Sequence, residues 1–190
     1  AIDLLARLRE VTGDGVTTFE YLPRIAVEFA VRHISGVTDP LDAPYPAYVL
    51  CEVSTARHDP HLRGLLEDAL GAAMNRGDVL EAPLAESIAQ REALWRLRES
   101  VPEAQRHEGA SIKHDVAVPV AALPAFLHKA SAAVAQVAPS ARLVAYGHVG
   151  DGNLHFNLSE PAGGGDRAAF LALQEDLGRA VHACVQEFSG

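Results

Sequence analysis

The stretch that most constrains this chain is Tyr146-Gly147-His148-Val149-Gly150-Asp151-Gly152-Asn153-Leu154-His155-Phe156-Asn157. An Asp-Gly pair between alternating apolar residues is the strongest short-range signal for a β-hairpin. A two-residue turn at Asp151-Gly152 predicts that Gly150 pairs with Asn153, Val149 with Leu154 and His148 with His155, and a four-residue loop over 150–153 gives the same register. Leu143, Ala145, Val149, Leu154, Phe156 and Leu158 then form an apolar face, and Tyr146, His148, His155 and Asn157 a polar one. A slip of one residue would mix the two. Directly opposed residues have Cβ atoms roughly 4.5–5.5 Å apart, from which two imidazoles can converge on one ion. The histidines are either hydrogen-bonded structural residues or a metal and catalytic pair. A catalytic metal site usually takes about three protein ligands, and the chain offers no obvious third.

Around the hairpin, periodicity predicts helices over Ile2–Val11, Thr18–Ile34, Pro60–Arg76, Leu84–Val101 (ended by Pro102), Val120–Val137 and Asp166–Phe188. Strands are expected over Ala47–Ser54 and Lys113–Val118, with a short extended piece at Val79–Ala82. Helices and strands alternate, which predicts an α+β class: an antiparallel β-sheet with helices packed on one face, a ferredoxin-like sandwich.

At 190 residues one domain with a hydrophobic core is expected. The formal charge of −9 argues against a nucleic-acid partner, which would demand a clustered basic face. No apolar run approaches the ~18 residues of a membrane span, so none is expected. Cys51 and Cys184 share no disulfide or CxxC spacing and read as buried free thiols in a reducing, cytoplasmic setting.

Two cations stand out. Arg98 sits within the apolar stripe of Leu94, Leu97 and Val101, where it either snorkels past the core or presents its fork to a carboxylate. Lys113 opens an alternating strand on the same face as Asp115 and Ala117, and a solvated Lys113–Asp115 pair is the plain alternative to an anion-binding role.

The string Gly147 to His155 resembles the signature of the FAD-linked oxidase C-terminal domain, carried by D-lactate dehydrogenases, D-2-hydroxyglutarate dehydrogenase and the flavin subunit of glycolate oxidase. Trp95-Arg96-Leu97-Arg98-Glu99, Lys113-His114-Asp115-Val116-Ala117-Val118-Pro119 and Thr18-Phe19-Glu20 resemble three further stretches of that family, in order. The resemblance implies that residues 1–190 are a substrate- and metal-binding C-terminal domain truncated at both ends, inactive alone. FAD would be bound mainly by an N-terminal domain outside these residues; Gly163-Gly164-Gly165 reads as a linker. His148 and His155 would be catalytic ligands of a divalent metal, with zinc the first choice, and the family's third ligand, a glutamate, would follow Gly190. Arg98 and Lys113 would hold the carboxylate of a small 2-hydroxy acid, and Asn157 would contact it near the metal. Pro102 stands where some members offer the substrate a hydroxyl, which favours a simpler 2-hydroxy acid over 2-hydroxyglutarate. The implied enzyme oxidises the acid to a 2-keto acid, with hydride passing to FAD. Its expected partners are the substrate, the FAD-binding domain of the same chain and a second copy in a homodimer. The alternative is a non-catalytic assembly domain of a multi-subunit flavoprotein, in which protein covers the polar face.

Overall fold

The computed structural model describes residues 1–55 and 59–190. Helices α1 (Ile2–Thr12), α2 (Arg24–His33), α3 (Leu62–Asn75), α4 (Ile88–His107), α5 (Leu123–Val137), α6 (Arg167–Ala172) and α7 (Gln174–Glu187) alternate with strands β1 (Val16–Pro23), β2 (Ala47–Val53), β3 (Ser111–Ile112), β4 (Asp115–Ala117), β5 (Arg142–His148) and β6 (Asn153–Ser159). The six strands form an antiparallel sheet of order β2-β1-β5-β6-β3, and β4 also pairs with β6. This is the α+β class with an antiparallel sheet. The two short strands share one edge of β6: β3 lies opposite Leu158 and Ser159, and β4 opposite Asn153 to His155.

One sheet face, with Phe19, Leu154 and Phe156 fully buried, packs against α1, α5 and α7. The Phe126 ring of α5 meets Phe156 edge-on, their centroids 5.9 Å apart. In addition to this helical layer, α2 and α4 cover part of the opposite face, where Ala26, Phe29, Val101 and Ala104 bury Val144 and Tyr146. Both neighbours of the site residues are thereby fixed, the sheet beneath and α4 above.

Three expectations are corrected. The helix expected from Thr18 is strand β1 through Pro23, and α2 starts only at Arg24. Thr17, Thr18, Phe19 and Tyr21 favour a pleated, half-buried surface, and a proline inside a helix would break its ladder. The helix expected to stop at Pro102 continues to His107 with Pro102 inside it. Burial of Ala104 and Gln105 beyond the break outweighs the one lost backbone bond. The piece expected to be extended at Val79–Ala82 joins no strand.

Residues Val120–Val137 reach membrane-spanning length with a mean hydropathy of 1.3, contrary to the expectation that no run does. Within that stretch Leu123, Phe126, Ala130 and Val134 recur at helical spacing and enter the core, the pattern of an amphipathic core helix.

Candidate functional site

The hairpin forms in a register two residues from the expected one. Tyr146, not His148, lies opposite His155, and Val144 lies opposite Asn157. The loop is the four residues Val149 to Gly152, wound as a 3-10 turn that Gly152 closes in the left-handed region at φ 85°. Val149 is drawn into the core at 4% exposure, which ends β5 early. Asp151 accepts the Asn153 N–H at 3.1 Å, so its side chain caps the turn. Because side chains alternate with period two, a two-residue shift leaves every residue on its expected face. His148 and His155 therefore share a face, but diagonally and not directly opposed.

Strand pairing sets two short rows across this face. In one, Leu50 of β2, Glu20 of β1 and His148 of β5 are neighbours. In the other, Tyr146 of β5, His155 of β6 and Asp115 of β4 are neighbours. Asp115 Oδ1 meets His155 Nδ1 at 2.5 Å, and the Tyr146 and His155 rings lie 5.0 Å apart. Among the described residues His148 pairs only with Asp151, at 3.8 Å.

From above, α4 brings Arg98 onto both rows. Its Nε donates to Glu20 Oε2 at 2.9 Å, and its guanidinium lies over the Tyr146 ring at 5.3 Å. The Arg98 and Glu20 side chains are 15% and 7% exposed. Among the described residues nothing accepts from its two terminal nitrogens. Burial pushes the Tyr146 phenol above its ordinary value; Arg98 opposes this, and Asp115 and Glu20 add to it. Lys113 lies exposed between β3 and β4, two residues from Asp115, and makes no ion pair among the described residues.

Of the five residues singled out from the sequence, Arg98, His148 and His155 are brought onto one face, and Lys113 stands at its edge. Asn157 lies deeper. It is 3% exposed and donates to Gln105 Oε1 at 3.0 Å, while Gln105 donates to Ser159 Oγ at 3.0 Å. Its own Oδ1 is buried without a partner among the described residues. Glu20 and Asp115 were missed as site residues. The β-branched and aromatic run before Pro23 was the signal that would have put Glu20 on a strand.

As a metal centre the set falls short. Among the described residues no group of three or more His, Cys, Asp or Glu side chains is placed to hold an ion. His148 and His155 are two donors, and Asn157, whose amide nitrogen is given to Gln105 of α4, is buried away from them. The carboxylate on His155 Nδ1 has the chemistry of the partner that metal-ligating histidines keep behind them, but the pair alone does not fit a closed site. Nor do the described residues offer a flavin cradle: Gly163 and Gly164 occupy open surface, without backbone or side chain within 4 Å of where a Cβ would sit.

The family model "FAD linked oxidases, C-terminal domain" matches residues 1–186. The chain belongs to this family. A D-2-hydroxyglutarate dehydrogenase of Xanthomonas citri pv. viticola is 32% identical over 172 residues, covering 90% of this chain and 35% of that protein. The mitochondrial D-2-hydroxyglutarate dehydrogenase of Arabidopsis thaliana is 30% identical over 156 residues, 82% of this chain and 27% of its own length. That of Danio rerio is 32% identical over 157 residues, 81% and 28%. The chain thus spans roughly a third or less of these relatives. Within the family domain, Glu20, Arg98, Tyr146, His148 and His155 come from four elements and converge on one sheet face.

Proposed function

We propose that this chain is the substrate-binding domain of a flavin-dependent dehydrogenase that oxidises a 2-hydroxy acid to the 2-keto acid. The substrate belongs to the D-2-hydroxyglutarate, D-lactate and glycolate class. The observation that carries the reading is Arg98, anchored among the described residues through Nε alone and lying over the Tyr146 ring, with both terminal nitrogens unspent. A fork of this kind matches a carboxylate in bidentate fashion. The exposed Lys113 ammonium adds attraction for the same group. With the carboxylate fixed, the C2 hydroxyl falls to the His148 and His155 side of the face, and orientation contributes to the rate. Asp115 occupies Nδ1 of His155, so Nε2 is the nitrogen presented to the site.

FAD is the cofactor of the family and would be held by the part of the parent protein outside these residues. We assign His148 and His155 as two donors of a divalent-metal site, zinc by preference, completed from that same part; bound there, the ion would make the hydroxyl more acidic. Asn157 supports the site from behind through Gln105. The two free cysteines, Cys51 and Cys184, accord with a reducing cytoplasmic setting.

The test is steady-state oxidation of a panel of D-2-hydroxy acids by the full-length parent with a dye acceptor. Arg98→Ala is expected to raise KM by about 10- to 100-fold, the weight of one or two charge-assisted hydrogen bonds. A parent that oxidises none of the panel, or an Arg98→Ala variant with unchanged kcat/KM, sinks the reading. Metal content of the parent against His148→Ala/His155→Ala checks the donor assignment, and equal zinc in both would remove it.

A further inference from the structure

Glu20 is a carboxylate in an unfavourable place. It lies in the middle of β1 with Leu50 paired on one side and His148 on the other, and only 5% of it is exposed. A buried carboxylate is costly unless it is paired and hydrogen-bonded, and its partner among the described residues is a single nitrogen, Nε of Arg98. The manner of pairing is informative. Arg142, a structural arginine of this fold, donates Nε to Glu160 O, Nη2 to Glu108 O and Nη1 to the Glu108 carboxylate. Arg91 gives one terminal nitrogen to both oxygens of Glu52. Among the described residues Arg98 is held by its inner edge only, with the Tyr146 ring below the guanidinium at 5.3 Å.

We infer that Glu20 is a positioning residue: it anchors Arg98 by Nε so that the terminal fork is aimed at the substrate carboxylate. The inference rests on the role given to Arg98 above. Orientation, not charge, is the benefit. A negative group beside the guanidinium weakens its attraction for an anion, so on charge alone Glu20 would work against binding. What it supplies is a fork already in the bound geometry, with little rotamer freedom left to lose when substrate arrives.

That sign separates the explanations in the full-length parent. The measurements are kcat and KM for a 2-hydroxy acid in Glu20→Ala, Glu20→Gln, Arg98→Ala and Glu20→Ala/Arg98→Ala, with thermal melts to establish folding. Glu20→Met, close in volume and without an acceptor, takes the place of alanine should that variant not fold. Glu20→Ala is expected to raise KM about tenfold, the weight of one charge-assisted hydrogen bond, with a smaller change in kcat. Glu20→Gln retains an oxygen for Nε and should keep KM within about threefold of the parent. In the Arg98→Ala background, removing Glu20 should add nothing further. The inference is overturned if folded Glu20→Gln is as impaired as Glu20→Ala, if the Glu20 effect persists without Arg98, or if only Arg98→Ala changes KM. An Arg98→Ala variant with unchanged KM instead brings down the role of Arg98 itself, a distinguishable result.

Discussion

Glu108, at the end of α4, should make the stability of this fold depend on acid, and by a predictable amount. His33 Nε2 and Arg32 Nη1 reach its Oε1 at 2.7 and 2.5 Å, Arg142 donates to its Oε2, and its side chain is only 9% exposed. Burial alone would raise the carboxyl; Arg142, His33 and Arg32 together overcome this and bring it from its ordinary 4.5 down to about 2. A carboxyl so lowered stabilises the folded chain by roughly 3 kcal/mol at neutral pH, an upper figure because Arg32 is half in water. The folded value lies below the unfolded one, so this contribution is complete above about pH 5 and is lost as pH falls from 4.5 toward 2. Glu108→Gln keeps the shape and removes the charge. Urea unfolding at pH 7 should show it about 2–3 kcal/mol less stable than the unaltered chain, with Arg142 left under-compensated. At pH 2.5 the gap should shrink by about 2 kcal/mol, because the unaltered carboxyl has by then given up most of its advantage. An equal gap at the two pH values, or none at pH 7, would refute the idea that this knot of Arg32, His33 and Arg142 on one carboxylate locks α2, α4 and β5 together.

Three further outcomes follow from single positions. Gly152→Ala should lower stability by about 2 kcal/mol or more in thermal unfolding, because φ is 85° and an added Cβ would strike the Val118 carbonyl; an unchanged Tm would contradict the turn. Burial lowers the His114 imidazole, although its bond to the Phe156 carbonyl opposes this, so histidine NMR should find it titrating below an exposed histidine. Its folded value lies below the unfolded one, so its contribution is complete above about 6.5 and erodes on acidification; a ring that titrates above an exposed histidine would reverse the sign. The Cys51 thiol is pushed up to about 11 by burial and by Glu52, so alkylation at pH 8 should run at least about tenfold slower than for an ordinary cysteine, and a normal rate would contradict its half-buried setting.

Where local pattern and tertiary setting agree, the sequence was readable: α1, β2, α3 and the two hairpin strands stand where periodicity puts them. The failures have separable causes. The hairpin register depended on one residue, Val149, whose burial in the core ends β5 before the Asp-Gly pair can form a tight turn. The face assignment survived because the error was two residues and not one. Pro102 was given its intrinsic weight as a helix stop, and burial of the residues after it outweighed that propensity.

The site divides along the same line. Arg98, Lys113, His148 and His155 are visible in the sequence because each is a polar residue out of place in an apolar or alternating pattern. Glu20 and Asp115 are invisible as site residues because their meaning lies in what they face, and strand pairing between distant segments decides that. Asn157 shows the converse: its pattern puts it on the site face, yet α4 covers that end of the face and Gln105 claims its amide. The sequence left Arg98 between two roles, a cation passing the core or a fork for a carboxylate. The pairing with Glu20 narrows the choice by chemistry. A snorkelling arginine carries its head to water, whereas this one is 15% exposed, held at Nε and placed over a ring. A guanidinium so held, with its terminal nitrogens unspent among the described residues, suits the carboxylate-binding role proposed for it.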